Sequence, residues 1–177
     1  MHSRHWISEN VEEDARYVVC KLLILARAER VWSVLTDYER VPEVFSNLTK
    51  LKIVNDNGPI KVMEQQVKPL PPVPLISYVV EVKETCPTLL EWRGLTPYIK
   101  VNQGCFSLHP VNQGEHTLVT FAAWAEAAFL ISSSIIRSHM QAIMPKVLLT
   151  LKEHAEIYRN GPFSTTEDSL CRLDSRS

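Results

Sequence analysis

The sequence predicts an α+β fold, a curved antiparallel sheet of about seven strands wrapped around one long C-terminal helix. Three observations carry this reading. Near the end, one stretch repeats apolar residues in steps of three and four. Before it, short β-branched and aromatic runs alternate with turn chemistry. Between the first of these runs and the rest lie two short helical segments, placed to close one end of the gap.

The long helix spans 131–158. Ile136, Met140, Ile143, Met144, Val147, Leu151, Ala155 and Tyr158 recur at helical spacing and mark one buried face. Ser132, Ser133 and Ser134 offer N-caps, and Asn160-Gly161-Pro162 is a stop. Pro145 falls opposite the stripe. It removes the N–H bond to the Gln141 carbonyl and bends the rod, leaving the apolar face concave. At 1.5 Å per residue the rod is about 40 Å long and needs a large apolar surface to lie on.

The remaining elements follow in order. Residues 16–26 form a strand that is apolar on both phases, which implies cover on both faces. Ala28–Leu35 is a helix with Val31, Trp32 and Leu35 on one side. Residues 41–45 form a second short helix, with Pro42 suited to its first turn. Strand 48–55 points Leu51 and Ile53 inward, and Asp56-Asn57-Gly58 turns into strand Ile60–Val67. Residues 68–74 connect to strand 76–82, with Tyr78 and Val80 inward. Cys86-Pro87-Thr88 turns into Leu89–Gly94, with Leu90 and Trp92 inward. In strand 98–109 the apolar phase switches from Ile99/Val101 to Phe106/Leu108, which predicts a bulge at Asn102-Gln103-Gly104. Asn112-Gln113-Gly114 turns into the last strand, 117–126. Serial strands with tight connections make an antiparallel meander. The organisation is a flexible arm over 1–14, one domain over 15–160 and a polar, disordered tail over 161–177.

Composition excludes several classes. The 177 residues carry a formal net charge of −1 and no long basic run, which argues against nucleic-acid binding. No stretch has the apolar length for stable membrane insertion. Cys20, Cys86, Cys105 and Cys171 lack metal spacing. Cys20 and Cys105 fall in strands and read as reduced thiols in a reducing compartment. The start lacks the apolar core of a secretion signal, so the expectation is a soluble cytoplasmic or organellar (plastid or mitochondrial) protein, not a secreted one. His109 and His116 flank a turn rather than forming a metal pattern, and no cofactor or metal is assigned.

The run Ala28-Glu29-Arg30-Val31-Trp32-Ser33-Val34-Leu35-Thr36-Asp37-Tyr38-Glu39-Arg40 resembles the signature of the START-like, or Bet v 1-like (SRPBCC), superfamily. The branch it looks most like is the polyketide cyclase/dehydrase and lipid transport group with its coenzyme Q-binding relatives. Gly104-Cys105-Phe106-Ser107-Leu108-His109-Pro110 is similar to that group's Gly-x-Trp-x-Leu-x-Pro strand, with Phe106 in place of tryptophan. Gly114-Glu115-His116-Thr117-Leu118-Val119-Thr120-Phe121 is similar to the strand that follows it. The resemblance covers 16–158. It implies a helix-grip fold and a hydrophobic cavity between sheet and long helix. Members include lipid carriers, quinone binders and aromatase/cyclases, so function has to be argued from the site.

Strand parity nominates the cavity lining. The strands contribute Met63, Gln65 and Val67, then Tyr78 and Val80, then Leu90, Trp92, Phe106, Phe121 and Ala123. The helix contributes Met140, Ile143, Met144 and Val147. These residues also suit a solid core. A cavity is favoured by the adaptable pair Met140 and Met144, by small Ala123 and Ala125, and by the bent helix. Gln65 and Tyr78 are polar on inner phases and need partners, either protein groups or a ligand oxygen.

Other features divide between two readings. His154 is a ligand contact or general base, or else a histidine packed against the C-terminal helix dipole. Lys68-Pro69-Leu70-Pro71-Pro72-Val73-Pro74 is a polyproline-type docking ligand or a stiff connection. Leu23, Leu25, Leu118 and Trp124 point away from the helix. They form either a homodimer interface or a patch covered by the N-terminal arm with Trp6. Asp37 and Glu39 belong to the helical signature, and no triad, HExxH or phosphate loop is present, so no catalytic residue is assigned. The expected function is binding or transport of a hydrophobic small molecule, a lipid or prenyl quinone. The alternatives are a polyketide cyclase/aromatase-like enzyme and a protein-interaction scaffold.

Overall fold

Seven strands form one sheet in the order β1-β7-β6-β5-β4-β3-β2, with every pairing antiparallel. In the computed structural model the described residues are 10–68, 75–97, 99–127 and 131–157. The elements are β1 (Val18–Ile24), α1 (Ala28–Leu35), α2 (Val41–Val44), β2 (Leu48–Asn57), β3 (Ile60–Val67), β4 (Ile76–Thr85), β5 (Leu89–Gly94), β6 (Ile99–Val111), β7 (His116–Ala127) and α3 (Ser133–Ile157). Outside the described residues lie Trp6, most of the proline-rich connection, Tyr98, Tyr158, the Asn160-Gly161-Pro162 stop, Cys171 and the 161–177 tail. The arrangement is the helix-grip fold expected from the strand meander and the long helix.

Pairing of β1 with β7 puts the first strand beside the last and leaves β1 and β2 at opposite edges. The chain between those edges is α1 and α2, which therefore cross the inner face at one end. Ala28, Val31, Trp32 and Leu35 of α1 are buried, as are Val41 and Val44 of α2. Thr36 closes α1 by donating its hydroxyl to the Trp32 carbonyl at 2.9 Å.

α3 rests on β1 and β7 and against α1 and α2. Its buried residues are Met144, Val147, Leu148, Leu151 and Ala155, the three-and-four stripe with Leu148 added. Pro145 is exposed on the opposite side, where its missing N–H faces water. Ser132 flanks the N-terminus, its hydroxyl 3.4 Å from the Ile135 amide. One turn further on, Arg137 donates to the carbonyls of Ala15 (3.0 Å), Arg16 (3.2 Å) and Tyr17 (3.3 Å), tying the helix start to the chain entering β1.

Two details of register correct the sequence reading. The irregularity in β6 lies between Ile99 and Val101, not at Asn102-Gln103-Gly104. Asn102, Gly104, Phe106 and Leu108 keep one unbroken phase opposite Ala125, Ala123, Phe121 and Val119. The extra residue is Lys100, so Ile99 and Val101 sit on opposite faces. In β2, Leu51 packs on the core as expected, but Ile53 is 36% exposed. β2 is an edge strand with shifts at Leu48/Lys50 and Ile53/Asn55, and these turn its second half away from the core.

The outer face carries its own cluster of Tyr17, Cys105 and Ala122, with Val11, Val19, Leu89 and Trp124 packed on it. Val11 belongs to the N-terminal arm, and the Arg16 guanidinium lies 4.4 Å from the centre of the Trp124 ring. The arm thus covers the Trp124 end of the outer patch, while Leu23 and Leu25 stay exposed. Cys20 and Cys105 are free thiols, and burial pushes the Cys105 thiol up to about 12. Cys86 is disulfide-bonded, so the cysteines are not one reduced set.

Candidate functional site

The inner face of the sheet is covered unequally. α3 fills the space over β1 and β7, and beside it a cavity of about 180 Å³ remains under the α1–α2 segment. Its roof is Leu35, Tyr38, Val41, Phe45 and Asn47. Leu48 and Leu51 of β2 form one side. Met63, Gln65 and Val67 of β3, Tyr78 and Val82 of β4, Leu90 and Trp92 of β5, and Asn102 and Phe106 of β6 form the floor.

Of the residues nominated from sequence, the structure brings Met63, Gln65, Val67, Tyr78, Leu90, Trp92 and Phe106 together in this lining. The rest lie elsewhere. Val80 is fully buried in the solid core. Phe121 stacks on Phe106, with centroids 4.3 Å apart, and Ala123 lies further along β7. Met144 and Val147 are buried in the main core, and Met140 and Ile143 are half-buried against it. The expectation is a cavity between sheet and long helix; this cavity lies between sheet and short helices. The physical reason is close contact. Met144, Val147, Leu148 and Leu151 seat α3 on the sheet and fill the space beneath it.

An aromatic wall divides the two regions. Phe45 meets Phe106 edge-on at 5.9 Å, Trp92 lies 5.9 Å from Phe106, and Phe121 backs them both. Trp92 takes its position because Gly104, its partner across β5 and β6, has no side chain. A Cβ on Gly104 would lie 2.2 Å from Trp92 Cζ2 and 2.4 Å from the Ala122 carbonyl oxygen.

The polar groups of the floor are grouped. Trp92 Nε1–H donates to Asn102 Oδ1 at 3.3 Å. Gln65 stands directly opposite Tyr78 across β3 and β4. Burial pushes the Tyr78 phenol up to about 12, partly offset by a hydrogen bond with Asn102. At the other end Tyr38 donates its hydroxyl to Glu84, whose second oxygen is 3.2 Å from Lys61 Nζ. Burial first, then the Glu84 charge, raises the Tyr38 phenol far above its ordinary value. Both cavity phenols therefore stay protonated and neutral at physiological pH. Among the described residues the lining contains no Asp, Glu, Lys, Arg or His.

Asn102 and the roof residues were not nominated from sequence. Asn102 shares its parity with Phe106, a signal hidden by placing the bulge on it. The roof residues carry helical spacing, which marks burial but not what they are buried against.

His154 does not reach the cavity. Its Nδ1 is 2.9 Å from the Thr150 carbonyl, and its Nε2 is 3.6 Å from Glu43. It lines a separate surface hollow of about 190 Å³ with Arg30, Ser33, Val34, Asp37, Arg40 and Val44. On the outer face Arg93 pairs with Glu81, and buried Glu91 lies 3.5 Å from Lys83. No group of three or more metal-ligating side chains occurs among the described residues. Nor is any helix among them long and apolar enough to cross a membrane.

Comparison with known families and structures agrees with the fold. Residues 21–156 match the family described as polyketide cyclase / dehydrase and lipid transport, and the chain belongs to that family. The match does not single out the coenzyme Q-binding branch. No curated protein matches in sequence. Among solved structures, TTHA0849 from Thermus thermophilus superposes with a TM-score of 0.67 at 18% identity, covering 81% of this chain and 99% of that one. The Zhui aromatase/cyclase from a Streptomyces species gives 0.66 at 16% identity, with 81% and 94% covered. A START superfamily protein from Mycobacterium smegmatis gives 0.68 at 14% identity, with 80% and 97% covered. At such identities the likeness is one of fold.

Proposed function

We propose that this chain binds a hydrophobic small molecule, such as the ring of a prenyl quinone or a part of a lipid, in the cavity beneath α1 and α2, as a carrier or sensor and not as a catalyst. The observation that carries this reading is the lining itself. It is a continuous aliphatic and aromatic surface with a few neutral polar groups and, among the described residues, no carboxylate, imidazole, guanidinium or ammonium group. That is the make-up of a ligand pocket, where apolar area supplies affinity and a few polar atoms supply orientation. Burial contributes roughly 25 cal/mol per Å² before ordering costs.

The cyclase or aromatase reading has the family in its favour. It needs a group that takes up a proton at neutral pH, and the described lining supplies phenols held protonated instead. The scaffold reading keeps the exposed Leu23 and Leu25 as its surface, in a homodimer or with another protein.

Native mass spectrometry after gentle purification tests the leading proposal, together with thermal shifts on a panel of quinones and neutral lipids. A retained small molecule, or a shift of several degrees with one class, is the expected result. No retained mass and no shift across the panel would remove the carrier reading.

A further inference from the structure

Trp92 sets the orientation of the Asn102 amide in the cavity floor. An indole N–H only donates, so the Asn102 atom facing it at 3.3 Å is the carbonyl oxygen Oδ1. The amide nitrogen of Asn102 then points away from Trp92 and is left with N–H groups to give. Tyr78 lies beside Asn102 in the lining and shares a hydrogen bond with it, and the amide nitrogen that Trp92 leaves over can only donate, so the phenol oxygen is the acceptor. A phenol oxygen that receives a bond keeps one proton to donate. Tyr78 lies on the inner face of β4 and in the cavity lining, beside Gln65.

The rest of the lining sets the other half of the specificity. A carboxylate or phosphate carried inward would lose its water and meet no cation among the described residues. Phe45, Trp92 and Phe106 offer ring faces and edges. A space of about 180 Å³ is of the order of the roughly 150 Å³ apolar cavity that accommodates benzene.

We infer that the cavity selects an uncharged ring compound bearing one hydrogen-bond-accepting oxygen, seated against Phe106 and Trp92 with that oxygen at the Tyr78 hydroxyl, and that it rejects carboxylates. This rests on the binding function proposed above and adds the chemistry of the guest. Asn102 is the positioning residue: it touches Tyr78 and Trp92 and orients the hydroxyl that the guest meets.

Three naphthalenes test it by calorimetric titration of the full chain. 2-Acetylnaphthalene has the oxygen, 2-isopropenylnaphthalene replaces it with an isosteric CH₂, and 2-naphthoate carries a charge. The ketone should bind about tenfold tighter than the alkene, the size of one buried hydrogen bond, and naphthoate about a hundredfold more weakly than the ketone. Tyr78→Phe should bring ketone and alkene within about twofold of each other. Asn102→Leu, which leaves the hydroxyl in place but unoriented, should cut the ketone's advantage to about threefold and serves if Tyr78→Phe does not fold. Equal binding of ketone and alkene, or naphthoate binding as tightly as the ketone, overturns the inference while leaving hydrophobic binding intact. If none of the three binds, this inference falls, while the binding function is decided by the quinone and lipid panel.

Discussion

Trp92 lies across Gly104, closely enough that a single added carbon on Gly104 would sit 2.2 Å from the indole. The contact joins two strands, places the aromatic wall and aims the indole N–H at Asn102. The shape of the cavity therefore depends on a residue that lines none of it.

Gly104→Ala tests this dependence. The new carbon meets both a ring and the Ala122 carbonyl oxygen, so either the indole moves or the strands part. Overpacking of this kind costs about 1–3 kcal/mol. Chemical denaturation should show that loss, and the variant should also bind cavity ligands more weakly than stability alone explains. A stable variant with unchanged binding would contradict the placement of Trp92.

Alkaline pH should weaken the fold through the cavity phenols. Tyr78 moves from 10.0 to about 12 on folding, so its protonated form is the one the fold favours. The associated stability is fully present below pH 10, falls as pH climbs through about 12, and amounts to roughly 3 kcal/mol. Melting temperatures measured from pH 8 to pH 12 should decline, and Tyr78→Phe should flatten part of that decline. A curve identical to the unaltered protein's would place the phenol in water.

Leu151→Ala and Val67→Trp separate the two regions of the inner face. Leu151 is fully buried in the main core and is not part of the cavity lining. Its truncation should cost about 2–5 kcal/mol while leaving ligand affinity of the folded protein unchanged. Val67→Trp fills the cavity and should reduce affinity at least about tenfold by displacing the guest. Calorimetry on both variants checks the pair, and loss of binding in Leu151→Ala alone would return the site to α3.

Arg137→Ala removes three bonds to the carbonyls of Ala15, Arg16 and Tyr17. The side chain is exposed, so the global cost should be about 1 kcal/mol. Hydrogen exchange should quicken at the amides entering β1 and stay unchanged in β4 and β5. Uniform quickening would mean that the clamp supports the whole fold and not one edge.

Much of the architecture was legible because it is written locally. Ala28–Leu35, Ile60–Val67 and Leu89–Gly94 stand where periodicity and turn residues put them. Parity alone brought Gln65, Tyr78, Trp92 and Phe106 to one face. Met140, Ile143, Met144 and Val147, expected in the cavity lining, pack in or against the main core. An apolar residue reads the same in sequence whether it meets another side chain or a void. Which half of the sheet the long helix occupies follows from pairing between Val18–Ile24 and the final strand, a contact across about a hundred residues that no local pattern records. Asn102 was lost to a bulge placed two residues too late. The alternation Ile99/Val101 suggested one buried phase where an inserted Lys100 separates two.

The route of the chain from one margin of the sheet to the other has a mechanical consequence. The roof over the cavity is a strap fastened at both ends, to β1 on one side and β2 on the other, with Tyr38 stitched to Glu84 between them. A strap fixed twice arches; it does not swing like a door hinged at one end. On the binding function proposed above, admission and release of a guest would turn on how readily the short span from Leu35 to Val41 bows outward against the Tyr38–Glu84 bond.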